Sequence, residues 1–76
     1  MEIPLTNLGI GEEAIITKLV GGFSFQKKMQ CLGIRIGKKV KIISSLPFRG
    51  PITIQVNNTK VALGRGMANK IFVEIK

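Results

Sequence analysis

Residues 52–63 constrain the fold most tightly. Ile52, Ile54 and Val56 alternate with Thr53 and Gln55, the period of a strand with one buried face. Asn57-Asn58 follows, and the partner strand Lys60 to Leu63 resumes the pattern with Val61 and Leu63 inward. Such a pair of runs predicts a tight hairpin, because asparagine tolerates the positive φ of a primed turn.

Similar short runs fill the rest of the chain. Glu13 to Val20 is β-branched and reads as a strand. Its adjacent Ile15 and Ile16 break the alternation, which suits a twisted strand or one buried on both faces near one end. Lys39 to Ser45 alternates Val40 and Ile42 inward with Lys39 and Lys41 outward. Ile71, Val73 and Ile75 share one face of a last strand. Ile3 suits the start of a short edge strand, and Leu5 and Leu8 one helical turn plugging an end of the core.

One helix interrupts the strands after Gly21-Gly22. Ser24 is the expected N-cap. Phe25, Met29 and Leu32 form an apolar stripe at i, i+4 and i+7, with Gln26, Lys27 and Gln30 opposite and Lys28 beside it. Gly33 is the expected left-handed stop, and Gly37 supplies a second permissive turn. Phe23 and Phe25 are expected half-buried, Phe48 and Phe72 exposed. Gly64 to Lys70 reads as one helical turn with Met67 and Ala68 near the core, and Leu46 to Pro51 as a loop. Five short strands, turn signals every 8–12 residues and one short helix predict a mainly β fold, a small bent barrel. A barrel also removes the exposed edges that so apolar a chain must avoid.

The chain has 76 residues, which means one domain, 1–76. A domain this small buries about 60% of its unfolded surface, leaving little room for a deep cleft. No apolar run reaches the ~18–20 residues of a membrane-spanning helix. The opening MEIPLTNLGIGEE lacks the basic start and apolar core of a signal peptide. With a single cysteine, this favours the cytoplasm. The net charge is +8, and the only acids are Glu2, Glu12, Glu13 and Glu74. A body with no carboxylate between residues 14 and 73 attracts anions: nucleic acid, an anionic membrane face or an acidic protein surface. The same lysines also serve plain solubility.

The chemistry of catalysis is sparse. There is no histidine or tyrosine, and no carboxylate in mid-chain. Cys31 lacks a histidine to activate it and reads as a packing residue. One cysteine and four glutamates do not make a preformed metal site, so any Fe2+ or Zn2+ contact is expected to be weak or between molecules. Gly64-Arg65-Gly66 lacks the final glycine of a dinucleotide loop, and Gly33 and Gly37 fit no phosphate loop.

The series Lys28-Met29-Gln30-Cys31-Leu32-Gly33-Ile34, Gly37, Pro47-x-x-x-Pro51-Ile52-x-Ile54, Val61-Ala62-Leu63 and Ala68-x-x-Ile71-x-Val73 resembles the FeoA family, ferrous iron transport protein A. The resemblance spans Leu5 to Ile75 and extends to the C-terminal SH3-like domain of metal-dependent repressors. It implies an SH3-like barrel with an inserted helix. It also implies a cytoplasmic, non-enzymatic accessory protein that binds and modulates FeoB, the membrane iron transporter. Lys28 stands where the family usually has arginine, whose bidentate chemistry lysine lacks. Gly66-Met67 replaces the more usual polar pair. The residues expected to contact the partner are Lys27, Lys28, Arg35, Phe48 and Arg49: the charges steer and the phenylalanine anchors. A basic barrel binding nucleic acid is the alternative reading, and a weak transition-metal carrier is a third.

Overall fold

The computed structural model describes residues 1–45 and 50–75. Six antiparallel strands form one sheet: β1 (Ile3–Pro4), β2 (Glu13–Leu19), β3 (Lys39–Ser45), β4 (Ile52–Val56), β5 (Thr59–Leu63) and β6 (Ile71–Glu74). Their spatial order is β1-β6-β2-β3-β4-β5. Helix α1 (Phe23–Cys31) lies between β2 and β3, and the single turn α2 (Arg65–Ala68) between β5 and β6. The mainly β, barrel-like architecture with an inserted helix is as expected. The strand count is six rather than five, because Ile3 and Pro4 pair with Val73 and Phe72. The barrel is of the nearly closed kind: β1 and β5 are the two ends of the sheet, and no ladder joins them among the described residues.

The hairpin of residues 52–63 forms as read. Val56 faces Thr59, and Asn57 takes φ 58° in the two-residue turn. The doubled Ile15-Ile16 has a local cause. The β2–β6 register shifts between Ile16 and Lys18, so Thr17 is the extra residue of a bulge. Ile16 points into the core at 1% exposure, while Ile15 sits half-buried between Lys39 and Glu74. A second shift, between Ile42 and Ser44, bends β3 against β4. Two bulges give the curvature that wraps the sheet around one core.

That core is wholly apolar: among the described residues no polar or charged side chain is buried. Leu5 and Leu8 close one end, next to Ala68 of α2. Thr6 Oγ1 donates to Asn69 Oδ1 at 2.7 Å, tying the Leu5–Asn7 turn to the residue that ends α2.

Helix α1 starts one residue before the expected cap. Gly22, extended at ψ −176°, is the N-cap, and Gln26 N–H closes the first turn on its carbonyl at 3.0 Å. Ser24 is therefore inside the helix, and no side chain caps it. This start turns Phe23 outward to 80% exposure, not half-buried as its sequence suggested. Phe25 is half-buried and packs against Gly21 so closely that a Cβ there would fall 2.4 Å from its ring. Lys70 Nζ stands 5.5 Å from the centre of the same ring. Phe72 is half-buried rather than exposed, because β6 runs between β1 and β2 and the ring sits between Pro4 and Lys18. Cys31 is exposed, not packed: two residues beyond buried Met29, it lies about 200° around the helix from the core.

Candidate interaction surface

The stretch from α1 into β3 builds the most structured part of the surface. Gly33, at φ 81°, reverses the chain as a Schellman motif. Gly33 N–H donates to Gln30 O at 3.0 Å, and Ile34 N–H to Met29 O at 2.8 Å. Met29 and Ile34 are both fully buried, so this hydrogen-bonded stop also pins the turn to the core. The next residues are held at their far end. Gly37 N–H donates to Ile16 O at 2.7 Å, and Lys38 O accepts from Ile16 N–H at 2.9 Å.

Between α1 and this link lies a groove of about 280 Å³, lined by Leu19, Gln26, Gln30, Ile34, Arg35 and Ile36. Gln26 braces its wall. Its Nε2 donates to Leu19 O at 2.7 Å, joining the helix to the end of β2. Sequence spacing put Gln26 opposite the apolar stripe, yet it lies only about 60° from Met29 around the helix and is half-buried. Phe23, three and seven residues before Gln26 and Gln30, stands on the same flank of α1 as these two. Ile36 is 64% exposed on the opposite lip. The groove thus has polar walls, a buried aliphatic floor and two exposed apolar side chains at its margins.

The five expected contact residues are placed unequally. Arg35 is exposed and lines the groove, and Lys27 is exposed on the outermost ridge of α1. Lys28, also exposed, lies on the other flank of the helix, about 160° from Gln30. Phe48 and Arg49 lie outside the described residues. The sequence reading missed Phe23 and Ile36. Their signal was available only in part: Ile36 falls between Arg35 and Gly37 in a turn, where a large apolar residue has no core to enter.

Among the described residues, no three of His, Cys, Asp and Glu come together. No helix among them is long and apolar enough to cross a membrane.

Comparison with known proteins places this geometry in a context. The family profile described as FeoA domain matches residues 3–75. The putative Fe(2+) transport protein A of Methanocaldococcus jannaschii is 38% identical over 71 residues, covering 93% of this chain and 84% of that protein. An Fe(2+) transport protein A/Fe(2+) transporter FeoB fusion protein of Porphyromonas gingivalis is 31% identical over 71 residues, 93% of this chain but 8% of the fusion. Among solved structures, an iron uptake regulatory protein (FeoA) superposes with TM-score 0.90 at 31% identity, covering 97% of both chains. A manganese-dependent transcriptional repressor shares the fold at TM-score 0.91 and 17% identity, with this chain matching 42% of its length.

Proposed function

Because the chain belongs to the FeoA domain family, we propose that it is a cytoplasmic, non-enzymatic accessory protein of ferrous iron uptake. It binds the cytoplasmic region of a FeoB-type transporter and modulates transport by favouring one transporter state. The observation that carries this reading is the Porphyromonas gingivalis fusion, in which a segment resembling this chain is part of the same polypeptide as the transporter. Fusion raises the effective concentration of one module at another, which serves two parts that must touch.

The groove beside α1 suits such a contact. Phe23 and Ile36 are the apolar anchors, Gln26 and Gln30 offer amide groups, and Lys27 and Arg35 steer an acidic surface. Large apolar side chains exposed next to a rigid notch are the usual centre of a protein interface. Phe48 and Arg49, outside the described residues, remain proposed contacts, and Lys28 is one on the other flank of α1.

Pull-down of the transporter's soluble cytoplasmic domain tests the proposal. The native chain should retain that domain, and Phe23→Ala/Ile36→Ala should lose it. Failure of the native chain to bind would sink the proposed role. Unchanged binding by Phe48→Ala/Arg49→Ala would remove those two residues from the contact.

A further inference from the structure

The outer face of β3, β4 and β5 lies apart from the groove and is not used by the proposed contact. Strand register places Glu13, Lys41, Gln55 and Lys60 in one row across β2 to β5. Lys39 sits one pleat along from Lys41, and Asn57 follows Gln55 by the same step. With strands about 4.8 Å apart, Lys41 and Lys60 stand roughly 10 Å from each other on one side of the sheet. Glu13, Lys39, Lys41, Gln55 and Asn57 line a shallow concavity of about 390 Å³. Glu13 reaches Lys39 at 3.6 Å, whereas Lys41 and Lys60 have no ion pair among the described residues. Beside this row, the turn carrying Ile10 is tied to β3, with Gly11 N–H donating to Ile42 O at 2.8 Å. Ile10 is 66% exposed.

We propose that this lysine face is a docking surface for an anionic lipid bilayer. Three candidate occupants share the negative charge, and the side chains separate them. Single-stranded nucleic acid needs aromatic platforms among the basic residues, and the described residues of this row include none. A specific protein interface needs protruding apolar anchors, and the large aliphatic side chain that the described residues place beside the row, Ile15 against Lys39, is already half-covered by its strand neighbours. Lysines on flexible stems, spread over a broad face, match a fluid array of headgroups, where each acts as a separate point charge. Exposed Ile10, on the turn hydrogen-bonded to β3, is the apolar side chain this proposal offers to the headgroup region. Docking by this face would hold the module at the membrane and leave the α1 groove for a protein.

The test is vesicle sedimentation at low and near-physiological salt. One set of vesicles mixes phosphatidylglycerol with phosphatidylcholine, and the other is phosphatidylcholine alone. The native chain should partition onto the anionic set only, and less as salt rises. Near an anionic surface each lysine is worth about fivefold in partitioning, so Lys39→Gln/Lys41→Gln/Lys60→Gln should lose on the order of a hundredfold. All three positions are exposed, and an unchanged circular dichroism spectrum confirms that the variant folds. Lys27→Gln/Lys28→Gln/Arg35→Gln removes the same charge elsewhere and should stay within about tenfold of the native chain. Ile10→Ser should weaken partitioning further at high salt. Equal losses in the two triple variants would overturn the proposal, since charge and not the face would then govern binding. No preference for anionic vesicles, or tighter binding to random duplex DNA than to vesicles, would overturn it as well. Each outcome is independent of the pull-down, which uses a soluble domain and no lipid.

Discussion

Replacing Gly33 with alanine isolates the device that sets the groove. Gly33 sits at φ 81°, and a Cβ built there meets no atom within 4 Å. Steric crowding with the rest of the fold therefore contributes nothing, and the whole effect is backbone strain. An L-residue in the left-handed region costs about 1–2 kcal/mol. Alanine also restricts the unfolded chain, which returns about 0.4–1 kcal/mol. The net loss is about 1 kcal/mol, and for a domain of this size that lowers Tm by roughly 4–8 °C. Gly66→Ala is the matched control. Gly66 lies within α2, has no positive φ, and its added Cβ also meets open space. There the same chemical change should stabilise by about 0.5–1 kcal/mol. Gly33→Asn should recover much of the loss, because asparagine tolerates the left-handed region. Thermal and urea unfolding of the three variants give the answer. Equal shifts for Gly33→Ala and Gly66→Ala, or no loss in Gly33→Ala, would refute the assignment of Gly33 as a strained helix stop.

Ile34→Ala should be far costlier, about 2–5 kcal/mol, because the side chain is fully buried; urea denaturation would show the midpoint fall with little change in slope. Gln26→Ala removes the bond to Leu19 O and should cost about 1 kcal/mol, read by the same titration. Phe23→Ala should leave stability within about 0.5 kcal/mol of the native chain, since the ring is 80% exposed. It should weaken capture of the transporter domain by tenfold or more, about 1.4 kcal/mol. Equilibrium dialysis against Fe2+ should show weak, sub-stoichiometric uptake, because Cys31 is a solitary exposed thiol; a tight one-to-one complex would contradict this.

Much of the fold was legible because its signals are local. The hairpin of residues 52–63 is written in strict alternation plus two asparagines, and both runs and turn form in register. Gly33 and Gly37 were readable for the same reason, since a left-handed position selects glycine within a few residues of sequence. The helix start was not readable, because its cap is a backbone device. Gly22 ends the extended segment without a capping side chain, whereas the capping rule looks for a hydroxyl and finds Ser24. Gln26 was misplaced because its partner is a carbonyl of another element, Leu19 in β2. The bulges at Thr17 and Ile43 are likewise properties of strand pairs, which a single strand does not encode. The groove follows the same rule. Gln26 and Ile36 belong to different elements, and only the fold brings both to the lining of one groove. Lys27 and Lys28 are neighbours in sequence and part company on the helix surface.

The Schellman link between α1 and β3 also bears on how a partner would be received. Both groove walls are anchored at the same fully buried pair, Met29 and Ile34. Backbone hydrogen bonds fix the far end of the link to β2. A cleft held this way is braced at both ends of the link. It offers a fixed template, so little ordering entropy is lost on this side of an encounter. Adaptation then falls to the incoming chain, and any regulation of the contact is expected in the partner's conformational states rather than in this module.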